Sequence, residues 1–311
     1  MSSFQTSFFG KSLSPIHLPL LLFDLPCARL NVMFLILRLL KGFFISQLCV
    51  GQLRAQLGTT PNIKHIVVGR CYNYITLVNP SLRIDCEEIW RRFEESVVFR
   101  SSFNATVDYS QMFDAIPQTW PCNTCLFWSK TRNLMHSYAA VERHFWTLED
   151  TLVGFMFNDL VWCGQEKHSG FGFSSCPPWA ASTHHPVYSL WRHASQNFAE
   201  MACGNITVLL NGSISNAFNR ESMFGSVELD GLDPCRVDYV NIKVVTNLEG
   251  PFTESCSKGS IADLIQVLRS RGFRWTCTHN DETLMILQCV QNPEQSSCQR
   301  CASGFSHGRD L

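Results

Sequence analysis

The 311-residue sequence lacks an excess of either charge: 25 Lys and Arg oppose 26 Asp and Glu, for a formal net charge of −1 at pH 7. Nucleic-acid-binding proteins usually carry a basic face, so this balance argues against nucleic acid as a partner. We find no internal repeats and no low-complexity tracts. The length allows one large domain or two of moderate size, with enough chain for a buried core.

The common nucleotide-binding and hydrolase motifs are also absent. No G-x-G-x-x-G follows a predicted strand, and the nearest match, starting at Gly170, lacks the third glycine. The sequence contains no P-loop, no G-x-S-x-G elbow and no H-E-x-x-H. These absences argue against an ordinary dehydrogenase, NTPase, serine hydrolase or zincin. Any nucleotide would have to bind without the usual phosphate cradle.

Cysteine, by contrast, is abundant, with 15 residues, most of them irregularly spaced between Cys71 and Cys301. This pattern predicts a disulfide framework formed in an oxidising compartment. Zinc is the alternative, but two C-x-x-C pairs, Cys122 with Cys125 and Cys298 with Cys301, are too far apart for a zinc ribbon or finger. No redox fold is indicated around the first pair either. We therefore expect disulfides and no metal site.

Three sequons for N-glycosylation agree with this compartment, at Asn104, Asn205 and Asn211. The third directly follows a predicted strand, and a structural turn without a sugar is its other interpretation. Together with the cysteines, the sequons predict an extracytoplasmic protein, either secreted or held at the cell surface as a type II membrane protein.

The first 57 residues differ in composition from the rest of the chain. An apolar run over residues 30–50 is long enough to span a bilayer as a helix. Arg38 and Lys41 lie near its middle, where each would cost about 2.5–3.5 kcal/mol, which argues against a plain transmembrane span. A signal-anchor, a cleaved signal peptide and a disordered N-terminus remain open for residues 1–57, so membrane attachment through this segment is also open. The polar C-terminus lacks the hydrophobic tail that a GPI anchor requires.

The chain before residue 203 is mostly helical in pattern. Residues 82–99 have apolar positions at helical spacing between charges, which predicts an amphipathic helix. A second helix is predicted over residues 147–162, with Thr147 as N-cap and Asp150 completing a capping box. Residues 163–187 are punctuated by Gly, Pro, Cys and His, and we expect irregular structure there.

After residue 203 the pattern changes to that of an α/β protein. Runs of β-branched residues bounded by turn signals predict strands at residues 206–210, 237–245 and 285–290. Residues 261–271, between the last two runs, are helical in pattern. Strands that alternate with helices indicate a small parallel sheet.

One segment is specific enough to suggest a family. The segment Thr147-Leu-Glu-Asp-Thr-Leu-Val-Gly154, with residues 159–164 after it, resembles the signature helix of the ADP-ribosyl cyclase / cyclic ADP-ribose hydrolase family. Further matches follow in the same order as in the family, among them Gly69-Arg-Cys71, Leu126-Phe-Trp-Ser129 and Phe224-Gly-Ser-Val-Glu228. The resemblance covers residues 58–300, and it is closer to the transmembrane glycohydrolase branch than to the GPI-anchored one.

The resemblance implies a two-domain fold that combines helices with a small α/β part. A helical domain is expected over residues 58–121 and 147–202. A disulfide-stapled α/β domain with a four-stranded parallel sheet is expected over residues 122–146 and 203–303, followed by a tail at 304–311. The active site would lie in the cleft between them.

The resemblance also implies five disulfides, which are Cys71–Cys86, Cys122–Cys203, Cys163–Cys176, Cys256–Cys277 and Cys289–Cys298. One further bridge of the family is missing here together with both of its cysteines, so its loss leaves no lone thiol. Five cysteines stay unassigned, namely Cys27, Cys49, Cys125, Cys235 and Cys301.

By resemblance, the reaction is cleavage of the nicotinamide–ribose bond of NAD to nicotinamide, ADP-ribose and cyclic ADP-ribose. It passes through an oxocarbenium-like ribosyl cation, and nicotinamide leaves as a neutral base. No general acid is then needed for the leaving group, in contrast to ordinary glycosides. One carboxylate that stabilises or traps the cation is sufficient. NAD is the substrate, so we expect neither a bound cofactor nor a metal, and a homodimer remains open.

The family match assigns the main carboxylate to Glu228, which on its own sequence context would be an ordinary surface acid beside a strand. Glu149 has two interpretations: a favourable charge at a helix N-terminus, or a contact to the nicotinamide amide that influences whether the intermediate meets water or closes into a ring. Trp128 and Trp191 resemble the two indoles that flank the family's cleft and position substrate by stacking.

Further matched positions extend the predicted site. Ser129 and Ser195 match positions that contact the phosphates and the ribose, Arg132 would add a basic contact to the pyrophosphate, and Phe224 belongs to the matched motif that ends in Glu228.

Two positions depart from the family pattern. Asn158 stands where relatives usually carry an acid that helps to hold nicotinamide; an amide can still donate and accept hydrogen bonds. Met223 stands where the glycohydrolase branch has a small hydroxyl residue. We hypothesise that its bulk shields the ribosyl intermediate from water and favours cyclisation.

Two alternatives from other classes remain. A catalytically inactive surface receptor or adhesion glycoprotein on the same scaffold would fit Asn158 and the unusual N-terminus. A secreted disulfide-rich inhibitor or binding module would account for the cysteines but not for the ordered family matches.

Overall fold

The computed structural model of the protein describes residues 58–98, 106–116, 119–142, 144–165, 169–176 and 184–300. The predictions for residues 1–57, Asn104, Cys301 and the tail at 304–311 lie outside these ranges. Within them, no helix is both long enough and apolar enough to cross a bilayer.

The helical part is built from short helices around an aromatic core. Phe93 is fully buried, and its ring centroid lies 4.6 Å from that of Phe157 and 5.3 Å from that of Trp162. Burial of several large rings dominates the stability of such a core. The elements up to the second strand are α1 (Ile63–Asn73), a π-helical turn (Tyr74–Val78), α2 (Cys86–Val98), α3 (Ser110–Asp114), β1 (Leu126–Ser129), α4 (Arg132–Glu142), a 3-10 turn (Leu148–Asp150), α5 (Leu152–Phe157) and α6 (Pro186–Glu200).

Four strands form one fully parallel sheet in the order β1-β2-β3-β4. Strand β2 is almost completely buried because apolar clusters cover both faces of the sheet, as is usual in parallel sheets. The elements of this part are β2 (Gly204–Asn211), a π-helical turn (Phe224–Glu228), α7 (Leu229–Gly231), β3 (Val237–Val245), α8 (Ser260–Ser270), β4 (Trp275–His279), α9 (Glu282–Gln291) and a final 3-10 turn (Ser296–Arg300).

The chain leaves β1 and β2 toward opposite faces of the sheet. Leu134 of α4 packs on one face, together with Leu284 of α9. Phe218 and Phe224, which follow β2, pack on the other face together with α8. In parallel α/β sheets, connections that diverge from neighbouring strands open a crevice beyond the carboxyl ends of those strands. Residues that end β1 and follow β2 are therefore placed to line a site.

The sheet, the helices and the disulfides confirm the predicted fold class. All five implied disulfides are formed in the structure. Among the other cysteines of the described ranges, Cys125 is a buried free thiol and Cys235 an exposed one. Two predicted strands, at 206–210 and 237–245, coincide with β2 and β3, and the helices predicted over 82–99 and 261–271 coincide with α2 and α8.

The strand predicted over residues 285–290 is wrong, because these residues belong to helix α9. A short apolar run does not distinguish a buried strand from a buried helix segment. Asp281 was the informative residue, since its side chain caps the helix by accepting a hydrogen bond from the Leu284 N–H at 3.0 Å. The fourth strand is instead β4, a largely exposed edge strand with few apolar residues.

The continuous helix predicted over residues 147–162 is also wrong. The capping box is present, with the Thr147 N–H donating to Asp150 Oδ2 at 2.9 Å. It closes only the 3-10 turn, after which Thr151 is extended and caps the six-residue α5. Beyond α5 the chain pairs with another segment: the Thr60 N–H donates to the Val161 carbonyl at 2.8 Å, and the Val161 N–H donates to Thr60 Oγ1 at 3.0 Å. This tertiary pairing overrides the local helical pattern.

Irregular structure is predicted for residues 163–187. The described residues of this range agree with the prediction up to His185, and helix α6 begins at Pro186. Proline is common at the first position of a helix, where its missing N–H costs nothing.

Candidate active site

A cleft of about 690 Å³ lies at the crevice beyond β1. Its volume is within the usual range of small-molecule sites. The walls come from the end of β1, the 3-10 turn at Leu148–Asp150, the end of α5, helix α6 and the π-helical turn that follows β2. The structure brings together every residue predicted for the site: Trp128, Ser129, Arg132, Glu149, Asn158, Trp191, Ser195, Met223, Phe224 and Glu228 all line this cleft.

Glu228 is the last residue of the π-helical turn and is only 8 % exposed. The interpretation of this residue as an ordinary surface acid is thus wrong. Gly225 makes the turn possible, because a Cβ at that position would overlap the carbonyl oxygen of Asn219. Short π-helical turns are frequent at functional sites, where the extra residue redirects a side chain.

The carboxyl of Glu228 has a neutral hydrogen-bond donor beside it. Ser195 Oγ, on helix α6, donates to Glu228 Oε1 at 2.8 Å. Burial raises the pKa of Glu228 to about 8, the hydrogen bond from Ser195 opposes that rise, and the charge of Glu149 adds to it. A cation bound next to this carboxyl would favour the ionised form and lower its pKa again. The site is therefore suited to stabilise positive charge that arrives with, or forms on, a ligand.

Glu149 supplies a second carboxylate from the 3-10 turn, not from the first turn of a long helix. Its Oε2 is buried, and within the described ranges this atom has no hydrogen-bond partner. Buried polar atoms are almost always satisfied, so an unsatisfied carboxylate oxygen in a cleft is a binding position for a donor group of a ligand.

Two half-buried indoles line the cleft from different elements. Trp128 belongs to β1 and packs against the apolar cluster between the sheet and α4, whereas Trp191 belongs to α6 and packs against the helical core. Each ring is fixed on one side by the core and exposes its remaining surface to the cleft. Flat, rigid aromatic faces of this kind suit a planar ligand.

A polar rim borders the cleft at the end of α5. Arg132 Nη2 lies 2.9 Å from Asp159 Oδ1 and 3.3 Å from Asn158 Oδ1. Asp159 adopts a left-handed backbone with φ 60°, so the chain turns sharply just after Asn158. Ser129, at the end of β1, is buried beside this rim. The guanidinium and the hydroxyl together suit an anionic group such as a phosphate.

Sequence reasoning missed the remaining lining residues, which are Leu126, Phe127, Lys130, Leu148, Asp159, Leu160, Val161, Val187, Phe198 and Ser222. Five of the ten directly neighbour a predicted site residue in sequence, and extension of the prediction by one position on each side would have found those five. Lys130 is the most informative omission, because it adds a second cation next to Ser129.

The other sequence-predicted sites are placed as follows. Asn205, in β2, is exposed. Asn211 is the last residue of β2, and both ends of its side-chain amide form hydrogen bonds. The nitrogen donates to the Lys130 carbonyl at 3.2 Å, and the oxygen accepts from the Ser213 N–H at 3.0 Å. No group of three or more His, Cys, Asp or Glu side chains able to hold a metal occurs in the described part of the chain.

A disulfide-stapled scaffold of helices and a small parallel sheet holds two carboxyls and two indoles in one cleft, and preorganised carboxyls of this kind suit the stabilisation of a cationic intermediate. The family model described as ADP-ribosyl cyclase matches residues 60–298. The chain belongs to the ADP-ribosyl cyclase family, as the sequence resemblance predicted.

Individual relatives agree with this assignment. The chain is 39% identical over 244 residues to ADP-ribosyl cyclase/cyclic ADP-ribose hydrolase 1 of Rattus norvegicus, covering 78% of this chain and 80% of the relative. It is 33% identical over 248 residues to ADP-ribosyl cyclase/cyclic ADP-ribose hydrolase of Aplysia kurodai, covering 77% of this chain and 87% of that protein.

Solved structures of the family superpose on this protein. Porcine CD38 in complex with a covalent intermediate, ribo-F-ribose-5'-phosphate, matches with a TM-score of 0.69 and 36% identity, covering 72% of this chain and 98% of that one. Aplysia cyclase in complex with substrate NGD and product cGDPR matches with a TM-score of 0.73 and 31% identity, covering 78% of this chain and 99% of that one.

Proposed function

We propose that this protein cleaves the nicotinamide–ribose bond of NAD and releases nicotinamide, ADP-ribose and cyclic ADP-ribose. The observation that carries the proposal is the buried Glu228 carboxyl, hydrogen-bonded by Ser195 at 2.8 Å in a cleft that also holds Trp128 and Trp191. Membership of the ADP-ribosyl cyclase family supports it.

The reaction breaks the bond between the pyridinium nitrogen and C1 of the ribose. The bonding electron pair moves to the nitrogen, so the cationic pyridinium leaves as neutral nicotinamide and positive charge develops on the ribose. Glu228 stabilises or traps that cation. Burial holds the pKa of Glu228 at about 8, and this pKa falls when the pyridinium binds beside the carboxyl, since a nearby cation favours the carboxylate. Substrate binding thus ionises the group that the next step needs.

Two acceptors compete for the ribosyl intermediate. Attack by water gives ADP-ribose and a proton, whereas attack by a ring nitrogen of the adenine in the same molecule gives cyclic ADP-ribose. Met223 lies beside Phe224 at the cleft wall. We propose that its bulk limits the access of water and so favours the cyclic product.

The remaining predicted residues hold the substrate. Glu149 offers its unsatisfied Oε2 to the carboxamide N–H of nicotinamide. Asn158, at the rim, offers both a donor and an acceptor to the same carboxamide. Ser129, Arg132 and the additional Lys130 contact the pyrophosphate and the ribose, and the two indoles stack against planar rings.

The proposal requires no cofactor and no metal, since NAD is the substrate and its nicotinamide already is a good leaving group. We place the catalytic part outside the cytoplasm, and the five disulfides support this location. Anchoring through residues 1–57, a homodimer, and glycans on Asn104, Asn205 or Asn211 also remain proposals.

A catalytically inactive receptor on the same scaffold is the competing function. Drift in a dead site should have removed at least one member of the set, yet Trp128, Glu149, Trp191 and Glu228 are all retained and all line one cleft. This co-location favours the enzyme.

The first experiment incubates the full chain, produced by a secretory route, with NAD and separates nicotinamide, ADP-ribose and cyclic ADP-ribose by HPLC. Glu228→Gln should lower nicotinamide release by about 10²–10³-fold or more, since transition-state charge stabilisation is lost. Glu294→Gln changes an exposed acid outside the cleft and should leave the rate unchanged. Folded, disulfide-bonded protein that releases no nicotinamide would favour the receptor, with Asn158 as the first residue to examine.

A further inference from the structure

Arg70 belongs to the matched motif Gly69-Arg-Cys71 but does not line the cleft. It lies near the end of α1, and its half-buried guanidinium reaches the end of α5. Nη1 donates to the carbonyl of Asn158 at 2.7 Å and to the carbonyl of Met156 at 3.2 Å. One side chain from a different helix therefore binds the backbone of a residue at the rim of the catalytic cleft.

These carbonyls need such a donor. The last carbonyls of any helix lack intrahelical partners, and α5 has only six residues, Leu152–Phe157. A guanidinium is well suited to the position, because its charge interacts favourably with a helix C-terminus and the two N–H groups of Nη1 can serve both carbonyls. The Cys71–Cys86 disulfide, next to Arg70, fixes the segment from which the side chain projects.

The turn that Arg70 holds is the one that presents Asn158. Arg132 binds the side chains of the same turn: its Nη2 donates to Asn158 Oδ1 at 3.3 Å and to Asp159 Oδ1 at 2.9 Å. The left-handed φ of 60° at Asp159 makes this geometry costly for a residue other than glycine, so it depends on its neighbours. Arg70 fixes the main chain, and Arg132 fixes the side chains.

We infer that Arg70 is a positioning residue that sets the affinity of the cleft for nicotinamide by holding the main chain of Asn158. The inference rests on the proposed function, in which the Asn158 amide pairs with the carboxamide of nicotinamide. Arg70 itself touches no ligand. It should therefore affect the nicotinamide half of the substrate much more than the phosphates, which Ser129, Arg132 and Lys130 bind.

The test measures equilibrium binding of nicotinamide and of ADP-ribose separately, through quenching of tryptophan fluorescence in the full chain. Arg70→Met should weaken nicotinamide binding about tenfold, the usual effect of losing hydrogen bonds to a charged group. ADP-ribose affinity should change by less than about twofold. Arg83→Met is the matched control, because Arg83 also donates from Nη1 to two backbone carbonyls, those of Pro80 and Leu82, but at an exposed position that does not line the cleft.

A double-mutant cycle with Asn158→Ala tests whether Arg70 acts through Asn158. In that background Arg70→Met should change nicotinamide affinity by less than about twofold, because coupled residues are not additive. Arg70→Lys keeps the charge and several N–H donors, so it should give a smaller loss than Met. It also keeps the test available if the Met variant does not fold.

Two results would overturn the inference: an equal loss of affinity for both ligands, or a full tenfold effect that persists in the Asn158→Ala background. Either would make Arg70 a general structural residue. Failure of the proposed function gives a different result, since the wild-type chain would then release no nicotinamide from NAD at all.

Discussion

Ser195 Oγ donates a 2.8 Å hydrogen bond to Oε1 of Glu228 and so links two walls of the cleft. Ser195 is fully buried on α6, whereas Glu228 ends the π-helical turn that follows β2. The hydroxyl favours the ionised carboxyl and burial favours the neutral one, with burial the larger of the two effects. This opposition keeps the pKa of Glu228 near the pH at which an extracytoplasmic enzyme works.

The first prediction concerns the pH profile. Ser195→Ala removes a hydrogen bond that lowers the pKa of Glu228, so the pKa of that carboxyl should rise further. The acid limb of the kcat/KM profile, which reports groups of the free enzyme, should move to higher pH by about 1 pH unit. Ser189→Ala is the control: Ser189 is buried on the same helix and donates to the His185 carbonyl outside the cleft. An unmoved acid limb in Ser195→Ala would show that another group controls it.

The second prediction concerns stability. Burial raises the pKa of Glu228 from its ordinary 4.5 to about 8, so between these values the folded protein binds more protons than the unfolded chain. The contribution of Glu228 to the free energy of unfolding is fully present at low pH and is lost as the pH rises toward 8. Glutamine cannot titrate but can still accept from Ser195. The Tm of Glu228→Gln relative to wild type should therefore increase between pH 5 and pH 8.

Differential scanning calorimetry across this range measures the effect, with about 2–4 °C expected for each kcal/mol. Glu294→Gln, at an exposed site, should give a difference from wild type that does not change with pH. If the Tm difference between Glu228→Gln and wild type also stayed constant with pH, the Glu228 carboxyl would titrate normally in the folded protein.

The third prediction concerns the products. Met223→Thr opens space at the cleft wall, so water should reach the intermediate more easily and the ratio of ADP-ribose to cyclic ADP-ribose should rise several-fold. Met223→Leu keeps the bulk and should keep the ratio. HPLC of the products from NAD measures both. A ratio that stays the same in Met223→Thr would remove Met223 from the control of partitioning.

The fourth prediction concerns Asn158, the residue at the rim of the cleft that departs from the family pattern. Asn158→Asp restores an acid near the cationic pyridinium, and Arg132, 3.3 Å from the present amide oxygen, can hold it in place. Opposite charges a few ångströms apart near a protein surface attract, so the KM for NAD should fall about threefold to tenfold. ADP-ribose lacks the pyridinium and serves as the internal control. Its dissociation constant should not fall in parallel.

Much of the fold was readable from local pattern. Strand β3 matches its predicted bounds because nine mostly apolar, β-branched residues are bounded by turn signals at both ends. Helix α9 resembles a strand in sequence because Leu284 to Leu287 form a short continuous apolar run. Edge strand β4 was missed because an exposed strand needs few apolar residues. In both elements the secondary structure depends on the position of the segment in the fold, which the local sequence pattern does not indicate.

The candidate site was predicted through family motifs, and local pattern alone would not have assembled it. Glu228 lies outside the sheet, in a turn whose burial depends on helix α6, more than thirty positions earlier in the chain. Arg70 stands out in the sequence only as part of the motif Gly69-Arg-Cys71, because nothing in its sequence context indicates a contact with the end of α5. Side chains that act across such distances become visible only when the packing is known.

The pairing of β1 with β2 has a consequence for where the protein can work. Leu126 is in register with Thr207, and the Cys122–Cys203 bridge closes the same 81-residue separation. Closing a loop of this length with a covalent link removes about 4–5 kcal/mol of entropy from the unfolded chain in the loop-closure description. We expect a copy left in the reducing cytosol to lack this link and to assemble the cleft poorly. The oxidation that completes the fold then also protects the cell from an enzyme that would consume its own NAD.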